Sequence, residues 1–197
     1  FKQKTAYEIR LSLVGSEMCI RDRSLAAFYP YTPPHLRELG FMHTSSWMSL
    51  GQVTEIVAML ALARLLTRWR LKWIIITGLL IGVVRFALSA VDERAWLLVS
   101  ISLHGASYTL VAITAQIYLE QRVDPAWRAR AQALLSLMVS GVGNLAGYMG
   151  AGWWFAQTAA ESGQDWTLFW LGLAAVSGAV GVYFLAAYRG RGKAERI

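Results

Sequence analysis

The chain has little of what a compact enzyme or a secreted domain is built on. Its one cysteine, Cys19, excludes any disulfide within the chain. Three histidines, two of them (His35 and His43) in one polar connection, leave no Cys/His cluster at metal-ligand spacing. No glycine-rich loop runs into Lys-Ser/Thr, and no nucleophile stands beside a base, so neither a metal nor a cofactor is expected. Charge is scarce as well: 16% of the residues are charged against 56% hydrophobic, and mean hydropathy is +0.41. A soluble domain of this size needs more charge to cover its surface, and no long polar stretch remains to form one.

What is present are apolar blocks of about 20 residues, each long enough at 1.5 Å per residue to cross a hydrocarbon core of roughly 30 Å. They run from Trp47 to Leu66, Trp73 to Val91, Trp96 to Tyr118, Ala131 to Gln157 and Thr167 to Tyr188. The nine tryptophans all fall near block ends, where an amphipathic ring sits at headgroup level. The expected class is therefore an all-α polytopic membrane protein with the lipid bilayer as its solvent.

The net charge of +7 is divided among three places: Arg68, Arg70 and Lys72, then Arg122, Arg128 and Arg130, then a tail at 189–197 with Arg189, Arg191, Lys193 and Arg196. These clusters fall on alternate loops, and the loops between them, at 92–94 and 159–165, are mixed or acidic. Basic residues in short loops resist translocation, so the two basic loops and the C-terminal tail are expected on the cytoplasmic side. A nucleic-acid partner is not expected, because the basic residues do not gather on one face.

The leading segment departs from this plan. Residues 1–23 carry a charge every few positions, are too polar to span, and lack a signal-peptide cleavage site. The run from Lys4 to Arg23 resembles a translated sequencing adapter, so 1–23 is expected to be non-native. Residues 24–46 then hold the stub of a further helix, ending at Tyr31, with an extracellular turn at Thr32-Pro33-Pro34 and a polar connection. Residues 47–188 hold the five-helix transmembrane bundle. Five spans and a stub fit the second half of a transporter made of two six-helix bundles, with the N-terminal six-helix half as the missing partner.

Inside the blocks, Gly78-xxx-Gly82 and Gly143-xxx-Gly147 place small residues one above another, and Gly141, Gly150 and Gly152 add to the second face, which permits close helix packing. Ionisable residues at bilayer depth are more informative, because a charge there must be paired or hydrated. Glu55 lies near the middle of the first block, Arg85 two-thirds through the second and His104 in the outer half of the third; alternating helix direction brings the three to comparable depth, where one cavity can hold them. Gln52 precedes Glu55 by one turn on the same face. Tyr108 follows His104 by one turn, and Asn144 is near mid-depth in the fourth block. Two readings stand for most of these. Arg85 either neutralises Glu55 and locks two helices or serves a site; His104 either bridges helices or meets solute; Tyr108 either fills the core or stacks on a ligand. For the Gln52/Glu55 pair the functional reading is preferred, since an unpaired intramembrane carboxylate takes up a proton or binds a polar solute.

At these residues the sequence resembles the nucleoside:proton symporters of the major facilitator superfamily. The resemblance lies in Met48 to Glu55 (MSLGQVTE), Val84-Arg85-Phe86-Ala87, Leu103-His104-Gly105, Ile117-Tyr118-Leu119-Glu120, Val123 to Gln132 (VDPAWRARAQ), Gly141-Val142-Gly143 and Asp165-Trp166. It covers about Ala27 to Tyr188 and implies the C-terminal six-helix bundle, from the end of the seventh helix to the twelfth. It implies nucleoside binding by Gln52 and Glu55, proton coupling through Glu55, and a cavity aromatic at Tyr108. Thr109 stands where the family tends to have an aspartate after that aromatic, so Glu55 either couples alone or transport runs without protons. The expected function is nucleoside transport by alternating access in a bacterial inner membrane, with substrate contacts from Gln52, Glu55, Tyr108 and Thr109 and polar partners in Arg85, His104 and Asn144. Alternatives are a carrier of another polar solute such as a sugar, an intramembrane enzyme and a non-transporting membrane subunit.

The charge pattern predicts sidedness. In Ser162→Cys an impermeant thiol reagent added outside should label the protein, and in Gly192→Cys it should not. The reverse pattern would invert the topology.

Overall fold

The structure, a computed structural model, describes residues 26–161 and 163–187. The expected non-native run at 1–23 and the basic tail at 189–197 lie outside the described residues. Helix α1 is Phe28–Glu38, α2 Thr44–Arg68 and α3 Leu71–Ser89. Helix α4, Arg94–Tyr108, continues through a π-helical segment, Thr109–Ile113, into α5, Thr114–Arg122. A 3-10 turn at Pro125–Trp127 leads into α6, Arg128–Ser136, which passes through a second π-helical segment, Leu137–Gly143, into α7, Asn144–Gln157. A two-stranded antiparallel hairpin, β1 Ala159–Ala160 with β2 Gly163–Gln164, turns the chain into α8, Trp166–Ala187.

Five of the resulting rods are long and apolar enough to cross a membrane: Thr44–Arg68, Leu71–Ser89, Arg94–Gln121, Pro125–Gln157 and Trp166–Ala186. They match the five apolar blocks one for one. The helices outrun the apolar blocks at several ends, taking in polar or charged residues such as Thr44, Arg68 and Arg94, because helical hydrogen bonding continues into the interface after hydrophobicity has stopped.

The stub differs from its expected form. Instead of turning at Thr32-Pro33-Pro34, α1 carries on through both prolines to Glu38. The prolines remove the donors to the carbonyls of Tyr29 and Pro30, and those two residues are exposed. Burial of Thr32, His35 and Leu36 holds the rest of the helix in place. Beyond it the chain reverses through Gly40 (φ 81°) and His43 (φ 55°).

Helix α4 packs along both α2 and α3, and α3 packs on α8. The α3 face that makes these contacts is Ile74, Ile75, Gly78, Leu79, Gly82, Arg85, Phe86 and Ser89, a stripe at helical spacing. At Gly78 an added Cβ would sit 2.9 Å from the Leu110 Cβ, and the Ser107 hydroxyl donates to the Gly78 carbonyl at 2.8 Å. The Gly78-xxx-Gly82 motif therefore serves close approach to the α4–α5 rod. Gly150, by contrast, faces open space. The tightest crossing has no motif in sequence: it joins Gly105 of α4 to Gly51 of α2, where a Cβ on Gly105 would collide with the Gly51 carbonyl and the Glu55 amide.

At the α1 end of the bundle, Phe86 and Ala90 pack with Trp166, Phe169 and Trp170 of α8. His35 is fully buried there, although it reads in sequence as a loop residue. The Trp170 indole N–H donates to its Nδ1 at 3.0 Å, and its Nε2 lies 2.7 Å from an Asp92 carboxylate oxygen. An indole only donates, so Nδ1 must accept and Nε2 carries the proton given to Asp92. The ring stacks on Trp166 at 4.5 Å, and the Trp166 N–H reaches Glu38 at 2.5 Å. His35 lies outside the five spans, and burial pushes its pKa below 6.5 against the opposing pull of Asp92 and Glu38.

Two outcomes follow for detergent-solubilised protein. Gly105→Ala should lose about 1–3 kcal/mol of stability through overpacking, while Gly150→Ala should stay within about 0.5 kcal/mol of the parent; equal effects in thermal unfolding would contradict the crossing. The neutral form of His35 is favoured by the fold, so its contribution is full above the unfolded pKa of 6.5 and is lost as pH falls through the lowered folded value. Thermal stability should therefore decline on acidification below about pH 6.5, and His35→Phe should flatten that slope.

Candidate functional site

Between α2, the α4–α5 rod and the α6–α7 rod lies a cavity of about 640 Å³, within the range of small-molecule sites. Helix α2 contributes Gln52 and Glu55, and the start of α1 contributes Tyr29. The α4–α5 rod contributes His104, Tyr108, Ala112 and Gln116, and the α6–α7 rod contributes Gln132, Ser136, Ser140, Asn144 and Tyr148, flanked by Leu135 and Val139.

Both rods line the cavity at every fourth position. In an α-helix a residue four places on overshoots a full turn by about 40°, so such a series would drift off the face. The π-helical segments Thr109–Ile113 and Leu137–Gly143 interrupt both series. Their hydrogen bonds close over five residues, so each residue turns through less angle and the drift is taken back. The π segments keep both series aimed at the same space.

Helix α2 is fixed by its other face. The Thr54 hydroxyl donates to the Ser102 carbonyl at 2.5 Å, and the Thr109 hydroxyl donates to the Glu55 carbonyl at 3.4 Å. With the Gly51–Gly105 contact these bonds hold the α2 backbone against α4. They leave Gln52 exposed and Glu55 half-buried on the cavity wall. Thr109 is fully buried behind that wall rather than on it, so it reaches the site through the Glu55 backbone.

His104 forms the aromatic side with Tyr29 and Tyr108. Its Nε2 is 3.4 Å from the Tyr29 hydroxyl, and its ring stacks on Phe28 at 3.9 Å and 15°. Arg85 sits one layer back. Its guanidinium is fully buried over the rings of Phe28, at 4.9 Å, and Phe86, at 4.1 Å. The structure thus brings Glu55, His104, Gln52, Tyr108 and Asn144 to one cavity and places Arg85 behind the Phe28 ring, where a cation over an aromatic face is favourable. Sequence reasoning passed over Tyr29, Gln116, Gln132, Ser136, Ser140 and Tyr148. The fourfold spacing from Gln132 to Tyr148 was the available signal.

The cavity offers one acceptor-only carboxylate, several amides and hydroxyls that both donate and accept, and aromatic faces. That set suits a neutral, polar, ring-bearing solute. The sequence model of a family described as nucleoside H+ symporter matches residues 19–193. YegT of Escherichia coli is 36% identical over 130 residues, 63% of this chain and 31% of that protein. Nucleoside permease NupG of Escherichia coli is 24% identical over 196 residues, 95% of this chain and 47% of that protein. Xanthosine permease of the same organism is 26% identical over 160 residues, 79% of this chain and 38% of that protein. The chain thus spans a third to a half of the length of these relatives. Among solved structures, the nucleoside transporter NupG superimposes with a TM-score of 0.73 at 25% identity, covering 96% of this chain and 49% of that one. A mutant form of it gives a TM-score of 0.79 at 21% identity, covering 94% and 50%. On the family match and this superposition, the chain belongs to the nucleoside H+ symporter family and has the fold of the C-terminal helical bundle of a major facilitator superfamily transporter.

Proposed function

We propose that this bundle is half of a nucleoside transporter of a bacterial inner membrane, working by alternating access against an N-terminal six-helix partner and coupled to protons through Glu55. The observation that carries the reading is the meeting of Gln52, Glu55 and Tyr108 on one cavity in a chain of this family. In such carriers two bundles rock about a site near the midplane, so each bundle supplies one side of the binding surface. The basic loops and the C-terminal tail face the cytoplasm.

Each residue has a role fitted to its chemistry. The Gln52 amide both donates and accepts, which matches the polar edge of a base or a ribose. Glu55 accepts from solute hydroxyls when ionised and carries the proton when neutral. Tyr108 offers a ring face for a base. Thr109 cannot titrate, so the second carboxylate usual in the family is absent at that position, and proton coupling in this half falls on Glu55 alone. Thr109 instead steadies the Glu55 backbone. His104 and Asn144 are the polar partners beside the solute, and Arg85 supports the aromatic wall from behind Phe28.

The test uses the full-length transporter that contains this bundle, expressed in a bacterium unable to take up nucleosides, with labelled uridine and adenosine. Uptake should appear, and Glu55→Gln should abolish its dependence on a proton gradient while nucleoside exchange survives. Gln52→Ala should weaken substrate binding by about 1–3 kcal/mol, as expected when a polar group of the enclosed solute loses its hydrogen-bond partner, without altering the pH dependence. Gradient-driven accumulation that persists undiminished in Glu55→Gln would refute coupling through this residue.

A further inference from the structure

The α6–α7 rod has two faces. Leu134, Leu137, Val142, Leu145 and Met149 are exposed apolar side chains, as lipid contact requires. The cavity face carries a polar side chain at every fourth position. Its end rung is occupied, because the Gln132 amide donates to the Gln116 carbonyl at 3.1 Å. The next rungs, Ser136, Ser140 and Asn144, line the cavity, and no side-chain hydrogen bond to any of them is present among the described residues. Other helical serines behave differently: Ser49, Ser89 and Ser102 each donate to a backbone carbonyl three or four residues earlier. Within a membrane, polar groups held open on a cavity wall carry a cost unless water, a solute or the partner bundle meets them.

We propose that Ser136, Ser140 and Asn144 form a second binding wall that hydrogen-bonds the hydroxyl-bearing, ribose-like part of the solute. The inference rests on the nucleoside reading above and extends it to a helix for which that reading gave no more than a supporting asparagine. The chemistry favours a sugar ring at this position. A ribose hydroxyl both donates and accepts, but the Glu55 carboxylate only accepts. The lone pairs of those hydroxyls need donors, which the two serines and the asparagine amide supply. The base then lies towards the aromatic side of Tyr29, His104 and Tyr108. The π-helical segment at Leu137–Gly143 is what keeps the three rungs in one line.

The experiment compares uridine with 2′,3′-dideoxyuridine as competitors of labelled uridine uptake in the full-length transporter, normalised to the amount of protein in the membrane. Ser140→Ala and Asn144→Ala should each reduce the preference for uridine over the dideoxy analogue by about tenfold, the order of one lost hydrogen bond. Ser140→Thr, which keeps the hydroxyl, should restore the preference. A preference left unchanged in both alanine variants, whether both competitors weaken together or neither does, would overturn the second wall while leaving nucleoside transport standing. Absence of uridine uptake by the unsubstituted transporter would instead remove the function on which the wall depends.

Discussion

The bundle depends on two glycines meeting. Where Gly105 of α4 lies against Gly51 of α2, the backbones come closer than any side chain permits, and everything on the cavity side of α2 is referenced to that contact. It brings the Thr54 hydroxyl within reach of the Ser102 carbonyl and the Thr109 hydroxyl within reach of the Glu55 carbonyl. A side chain on a cavity wall needs a fixed backbone beneath it, because a hydrogen bond tolerates only a few tenths of an ångström of misplacement. Here the fixing is done through the main chain, and the Glu55 side chain is left to the cavity.

A second consequence of the close packing is the layering of charge. The cationic Arg85 and the acidic Glu55 are both in the membrane-spanning rods, yet the two are handled differently. Arg85 is buried with its guanidinium over the rings of Phe28 and Phe86, where a cation over an aromatic face is favourable. Glu55 is half-buried on the cavity wall. The Phe28 ring, 4.9 Å from the Arg85 guanidinium, stacks on the His104 ring at 3.9 Å.

Much of this was legible in the sequence. The five spans follow from hydropathy alone, since only helices satisfy backbone polar groups within lipid, and Gln52 and Glu55 on one face follow from their spacing of three. The helix through Pro33 and Pro34 was not legible, because local propensity argues against it and only the burial of Thr32, His35 and Leu36 sustains it. His35 illustrates the same limit: its partners Asp92 and Trp170 lie 57 and 135 residues away, and nothing local announces them. The Gly51–Gly105 crossing uses one glycine from each helix, so it leaves no repeat within either. Counting residues places Arg85 along its helix, but position along a helix does not tell which way a side chain points.

The two π-helical segments give the cavity rods a property that residue identity does not express. Each segment is a phase correction: it sets the rotation of the helix beyond it relative to the helix before it. Loss of a single residue within 137–143 would turn Asn144 and Tyr148 by about 100° about the axis, carrying them off the cavity face while Gln132 and Ser136 stayed where they are. An insertion or deletion there can therefore reshape one end of the cavity without changing a single lining residue at the other. Comparing relatives position by position will mislead there unless the helical phase is aligned first.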